Sequence, residues 1–335
     1  MTLSLGVAGA GLIGRAHIQR ILRSPDCRLA AIADPAPDAA GQAREIGVPL
    51  HADLDTMLAK ETLDGVIVAT PNAAHADNAL ACIARGLPVL IEKPLAETAE
   101  KGERIAEAAE RAGIPVLVGH HRRHNPILAH ARALIRGGAL GRIATASAFT
   151  TFLKPAPYFD TAWRREPGGG PVLINLIHVI DDLRFMLGEI AEIQAMGSNT
   201  LRGFPVEDSA AALLRFESGA LGTVALSDAA AAPWSWELTS GENAAYPKTE
   251  EDCYLIAGTD SSLAVPSLRR WRYAGNASWT APLSVDRLEV ADADPLDLQT
   301  AHFCAVIRGD AKPVIDARDA LRTLIATLAI HDRIR

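Results

Sequence analysis

Through the first third of the chain, short apolar runs alternate with stretches that repeat hydrophobic positions at helical spacing. Leu3–Ala8 is one such run; it stops at Gly9, and Gly9-Ala10-Gly11-Leu12-Ile13-Gly14 then opens a helical stretch through Arg23. Cys27–Ala33 is a second run, ended by Asp34-Pro35-Ala36-Pro37, where proline stops strand pairing, and a helical pattern rich in Ala and Arg follows to Ile46. The same reading predicts strands over 65–69, 88–91 and 115–118, and helices over 73–84 and 98–112. Strands that are apolar throughout, rather than at every second position, belong to a parallel sheet covered on both faces. The pattern predicts an α/β, doubly wound Rossmann-type domain over residues 1–120.

From about Gly141 the pattern changes. Residues 142–152, 191–198, 208–216, 220–226 and 235–240 read as strands with no long helix between most of them, and Glu217-Ser218-Gly219 is a hairpin signal. Residues 254–257 and 263–265 flank Gly258-Thr259-Asp260-Ser261-Ser262 as a further hairpin, and two helices, 295–308 and 316–334, close the chain. The polar segment 241–252 reads as a loop. This predicts that 121–335 forms an α+β domain with a large, mostly antiparallel open sheet, serving substrate binding and oligomerisation. The run Ala210-Ala211-Ala212-Leu213-Leu214 does not alternate as a strand with one wet face should. Its second face is expected to meet another copy of the chain, in a homodimer or homotetramer, with cover by the chain's own helices as the alternative.

Composition narrows the function. The 335 residues carry 40 acidic against 33 basic side chains, a formal charge of −7, which argues against nucleic-acid binding because nothing would neutralise a phosphate backbone. No apolar run approaches the ~20 residues that span a bilayer. The N-terminus lacks the basic start and cleavage site of a signal peptide, so a soluble, cytoplasmic protein is expected. Cys27, Cys82, Cys253 and Cys304 lie far apart without a CxxC, suggesting neither zinc nor a disulfide framework.

The glycine motif has a chemical reading in its context. It follows a strand and opens a helix, and an acidic residue, Asp34, stands about 20 positions further on at the end of the next strand. Gly9 allows the tight turn, Gly11 lets the backbone approach a pyrophosphate, and Gly14 lets the helix pack on the strand. Leu12 and Ile13 begin a helix whose free N–H groups face the phosphates. Asp34 can accept both ribose hydroxyls and would repel a 2′-phosphate, and no arginine follows it, so NAD is favoured over NADP.

Further segments cluster in sequence around this sheet: Thr70-Pro71-Asn72 with His75, Glu92-Lys93-Pro94, Gly119-His120-His121-Arg122-Arg123-His124-Asn125-Pro126, Trp163-Arg164, and Gly168-Gly169-Gly170-Pro171 leading to Asn175, His178 and Asp181. In this order and spacing the chain resembles the glucose-fructose oxidoreductase / inositol dehydrogenase (Gfo/Idh/MocA) family, over the first domain almost completely and over the second to about residue 190. The resemblance implies that Thr70, Pro71 and Asn72 lie along the cofactor with His75 behind them. It also implies that Glu92-Lys93-Pro94 brings a lysine to both nicotinamide ribose and substrate, that His178 is the catalytic histidine, and that Asp181 matches the aspartate three residues later. Many members carry an aspartate four residues before that histidine. Here the position is Ile174, with Asn175 beside it, and asparagine cannot take a proton, so proton transfer falls to His178 and Lys93.

The residues make chemical sense without the family. Lys93 follows an apolar strand at the carboxyl edge of the sheet, where open α/β sheets bind ligands, and a desolvated ammonium there can polarise or protonate a carbonyl oxygen. The alternative is a lysine paired with Glu92 at a strand end. His178 stands in an otherwise core-facing helical stretch, and Asp181 one turn later makes an acid/base role stronger than that of a core histidine. His120, His121 and His124 have no acidic partner or cysteine at ligand spacing, so no metal is expected; His121 reads as a wall of the nicotinamide pocket. Arg122 and Arg164, with Trp163, suit an oxygen-rich substrate, and solvated surface charges are the alternative. The sequence thus predicts an NAD-dependent oxidoreductase acting on a secondary alcohol or carbonyl of a sugar, polyol, inositol or sugar acid. The alternatives are a non-catalytic dinucleotide-binding sensor and an NADPH-dependent imine or enone reductase.

Overall fold

A computed structural model describes residues 2–334 and divides the chain into two compact units, Met1–His124 with Ala293–Leu324, and Asn125–Asp292 with Ile325–Arg335. In the first unit, β1 (Leu3–Ala8), β2 (Cys27–Ala33), β3 (Leu50–His51), β4 (Gly65–Val68), β5 (Val89–Ile91) and β6 (Val116–Val118) form one parallel sheet in the order β3-β2-β1-β4-β5-β6. Between them run α1 (Leu12–Arg23), α2 (Pro37–Ile46), α3 (Leu54–Lys60), α4 (His75–Ala84) and α5 (Ala99–Ala112). Every residue of β4, β5 and β6 is buried, which is why these strands read as unbroken apolar runs. The strand order reverses between β1 and β4, the switch point at which a doubly wound sheet opens a crevice. Local signals set the helix ends: Thr98 accepts a hydrogen bond from Lys101 N at the start of α5, and Gly113 ends it in the left-handed region at φ +65°. Both β3 and α3 escape the periodicity reading because two and seven residues are too few to display a period.

The second unit contains α6 (Pro126–Arg136), β7 (Ile143–Thr151), α7 (Ile177–Leu187), β8 (Ile190–Ser198), β9 (Ser209–Phe216), β10 (Leu221–Ser227), the single turn α8 (Trp236–Thr239), β11 (Tyr254–Gly258), β12 (Ser261–Val265), β13 (Arg269–Tyr273) and β14 (Leu283–Arg287). Its eight strands run in the order β14-β13-β12-β11-β7-β10-β9-β8, antiparallel except for β7 beside β10. The strand expected over 235–240 is instead α8: the Ser235 carbonyl accepts from Thr239 N and Oγ1, and the buried Trp236 donates to Glu242. Six residues with apolar side chains two apart fit either period, and these hydrogen bonds favour the turn. The β13–β14 hairpin was not anticipated because its strands are charged; Arg270 and Asp286 pair across it at 2.7 Å.

Helix α9 (Pro295–Arg308) starts at Asp294, which accepts from Leu296 N and Asp297 N, and α10 (Ala317–Arg333) follows. A single cut at residue 120 would place both in the second domain, but 293–324 packs with the first unit. Phe303 and Ile307 press on Gly65 of β4, Arg20 and Arg23 of α1 pair with Asp294, Arg308 pairs with Asp26, and Leu321 and Leu324 lie over Gly102 of α5. An apolar stripe on a helix fits many sheets equally well, so the pattern along α9 did not reveal which one it covers. Among the described residues no helix is long and apolar enough to cross a membrane.

Candidate active site

The first unit gathers its candidate residues at the carboxyl ends of β1, β2, β4 and β5, because parallel strands all deliver their following loops to one edge. Gly9 has φ +93°, and a Cβ on it would strike the Ala69 backbone; a Cβ on Gly14 would overlap the Gly9 carbonyl. The β1–α1 turn is therefore closed tightly against the end of β4, at a spacing only glycine allows. Gly11, the N-cap of α1, faces open space and no side chain caps the helix, while Leu12 is 94% exposed and Ile13 half-buried. The first N–H groups of α1 are thus left for an anion. Asp34 accepts from Ala10 N at 2.6 Å and from Ala36 N at 2.7 Å, which fixes its carboxylate beside the glycine turn with lone pairs remaining for hydroxyl donors. These features fit a dinucleotide: an open helix end for pyrophosphate and an anchored carboxylate for a ribose.

After β4, Thr70 Oγ1 accepts from Asn78, Pro71 precedes a 3-10 turn that Asn72 begins, and α4 starts at His75. His75 is buried, with Nδ1 2.8 Å from the Pro94 carbonyl and Nε2 2.9 Å from the Thr70 carbonyl. It therefore ties the Thr70 loop to the Glu92-Lys93-Pro94 segment and has no ring nitrogen to spare for a cofactor. Glu92 is buried, its Oε1 2.8 Å from His17 Nε2 and its Oε2 accepting from Lys93 N. Burial alone would raise its carboxyl, but the hydrogen bond and charge of His17, with His121 and Lys93 nearby, hold it below the usual range. Lys93 is half-buried at the end of β5. Beyond β6, His121 is half-buried and Arg122 buried. The ring of His124 lies 5.1 Å from that of His302 in α9. No group of three or more His, Cys, Asp and Glu among the described residues could hold a metal ion.

In the second unit, 172–176 wind as a π turn that runs straight into α7. Irregular turns of this kind re-aim side chains and occur often at functional sites. Asn175 stands in it half-buried, one turn before His178, which is 8% exposed, and two turns before the buried Asp181. Trp163 and Arg164 occupy a 3-10 turn whose backbone lies so close to Gly169 that a Cβ there would strike the Trp163 carbonyl. Trp163 is 51% exposed, and Arg164 donates to the Tyr158 carbonyl at 2.7 Å with its guanidinium 4.0 Å from the Tyr158 ring centroid. Lys154 Nζ lies 2.7 Å from Asn175 Oδ1 and 4.8 Å from the same Tyr158 ring, so Asn175 and Arg164 are gathered around one lysine and one tyrosine.

Sequence reasoning missed two residues here. His17 had no visible partner because Glu92 is 75 positions away. Lys154, one of only six lysines, lies three residues past the end of β7 and precedes Pro155, as Lys93 lies two residues past the end of β5 and precedes Pro94; that recurrence was the available signal.

Comparison with known proteins agrees with this geometry. Residues 3–120 match the family model described as oxidoreductase family, NAD-binding Rossmann fold, and residues 128–264 match the GFO/IDH/MocA C-terminal domain. The rhizopine catabolism protein MocA of Rhizobium meliloti is 31% identical over 229 residues, covering 66% of this chain and 70% of the relative. The 1,5-anhydro-D-fructose reductase of Ensifer adhaerens is 26% identical over 332 residues, 97% of this chain and 94% of the relative. Among solved structures, the WlbA dehydrogenase of Bordetella pertussis, in complex with NADH and UDP-GlcNAcA, superposes with a TM-score of 0.80 at 25% identity, covering 99% of this chain and 96% of that one.

Proposed function

The chain belongs to the Gfo/Idh/MocA oxidoreductase family, and from that premise we propose that it is an NAD-dependent dehydrogenase interconverting a secondary alcohol and a carbonyl on a sugar, inositol or sugar-acid substrate. The observation that carries the reading is the set of groups on one edge of the parallel sheet: the uncapped start of α1, the anchored Asp34 and the half-buried Lys93. Bound NAD supplies the hydride acceptor. The chain supplies the rest. Lys93 donates to the reacting substrate oxygen and stabilises its negative charge, with Glu92 and His75 fixing the segment that carries it. His178 takes the hydroxyl proton during oxidation and returns it during reduction, with Asp181 three residues along the same helix as the group that orients its ring. Asn175, Arg164 and Trp163 orient the oxygen-rich substrate, and His121 and Arg122 border the nicotinamide end.

We also assign the outer face of the second unit's sheet to a second copy of the chain. Burial alternates along β9, with Ala210, Ala212, Leu214 and Phe216 inside, while Leu213 points outward with Met196, Leu221 and Leu255. Leu213 and Leu221, with Thr145, Ile193 and Gly222, line a groove of about 510 Å³ in this sheet, and apolar surface of this kind suits contact with another copy.

The test is a panel of inositols, sugars and sugar acids offered with NAD, followed by NADH absorbance. Substrate-dependent NADH formation is the expected result, and its absence across the panel, with NAD still binding, overturns the reading in favour of a sensor.

A further inference from the structure

We propose that Lys154 is a positioning residue for this reaction: it holds the side-chain oxygen of Asn175, so that Asn175 presents only N–H donors and selects an acceptor oxygen on the substrate. The inference rests on the dehydrogenase reading for its substrate but on the second unit alone for its geometry.

Lys154 is 6% exposed, and its Nζ donates to Asn175 Oδ1 at 2.7 Å. The same ammonium lies 3.4 Å from Asp228 Oδ2, 4.8 Å from the Tyr158 ring centroid and 5.9 Å from that of Phe152. Asp228 is shared: its Oδ1 accepts from Arg202 Nε at 2.9 Å, and Arg202 also donates to the Lys154 carbonyl. The lysine is therefore clamped at both backbone and head group.

Two features separate this arrangement from a plain structural ion pair. Arg202 already pairs with the buried Asp228 at 2.9 Å, whereas Lys154 Nζ stands 3.4 Å from that carboxylate and only 2.7 Å from the Asn175 oxygen, so its shortest bond goes to the amide and not to the anion. Burial pushes the Lys154 ammonium below its usual range, with Asp228 and Glu237 opposing and Arg202 adding to the fall. The second feature is what the lysine touches. An amide can turn end for end, exchanging an acceptor for two donors, and the Lys154 bond forbids this by occupying the oxygen. The Asn175 nitrogen is left with no protein partner among the described residues, on a half-buried side chain in the π turn one helical turn before His178. A carbonyl, carboxylate or hydroxyl lone pair is the complement of that donor.

The experiment is a double-mutant cycle on the full-length protein at saturating NAD, using whichever panel compound yields NADH fastest. Lys154→Met is expected to lower kcat/KM about tenfold, mainly through KM, while NAD affinity stays unchanged. In an Asn175→Ala background the same substitution should cost less than about twofold, because the group it positions is gone. Lys154→Gln, which keeps an N–H donor, should recover part of the loss and replaces Lys154→Met in the cycle should the latter not fold. Equal losses in both backgrounds, or none in either, overturn the proposal. The ligand-free half is read separately by the ¹⁵N side-chain amide resonance of Asn175, identified by its disappearance in Asn175→Ala. That resonance should move in Lys154→Met and Lys154→Gln, and an unmoved signal refutes the positioning role even when no compound in the panel is oxidised.

Discussion

Nε2 of His17 lies 2.8 Å from Oε1 of Glu92, both side chains buried, so the helix that opens at the glycine turn is tied to the residue preceding Lys93. The pair links the helix that follows the glycine turn to the lysine segment. His17→Ala would strand a buried carboxylate and is expected to lower unfolding free energy by about 3 kcal/mol in urea titrations. Adding Glu92→Gln should recover part of that loss. A cost equal to that of an ordinary surface substitution, within about 0.5 kcal/mol, would show that Glu92 finds another partner.

Cofactor choice should depend on Asp34. The intact protein is expected to bind NAD more tightly than NADP, and Asp34→Ala should narrow the difference by weakening NAD and removing the repulsion of a 2′-phosphate. Calorimetric titration with both cofactors decides it; equal affinities in the unmodified protein would refute the assignment.

The chemical step should respond to His178 and Lys93 differently from cofactor binding. His178→Ala is expected to reduce kcat roughly 10²–10⁴-fold, as for loss of a positioned acid/base, with NAD affinity retained. Lys93→Ala should cost at least as much, since both a contact and a charge disappear. Single-turnover hydride transfer across pH reports this directly, and rates like those of the unmodified protein in His178→Ala would return that residue to the core.

Acid should weaken the first unit through His124. Burial pushes its imidazole from 6.5 down to about 3, helped by His302, His121 and Arg123, and burial lowers His302 as well. Because the folded pKa is the lower one, the unfolded chain binds a proton that the folded chain refuses between these values. Stability is therefore complete above 6.5 and falls as pH drops toward 3, at about 1.4 kcal/mol per pH unit for one proton. Urea midpoints measured from pH 7 to pH 4.5 should show the decline, with a shallower slope in His124→Gln. An identical slope in that variant would assign the acid sensitivity to other groups.

Much of this protein is set by short-range chemistry. Apolar runs ending in glycine or proline marked β1, β2, β4, β5 and β6, and the helical stretch read over 295–308 is α9. Asp34 was legible because a fixed spacing from the glycine turn carries a fixed geometry. The tertiary structure alone decided which helices cover which sheet, that 235–240 turns rather than extends, and that His75 joins two loops. It alone paired His17 with Glu92 and Lys154 with Asn175. Local pattern records what one turn or one strand needs from its own neighbours. A buried polar group's partner is set by where the packed backbone brings a second polar group, across 75 positions in one case and 21 in the other.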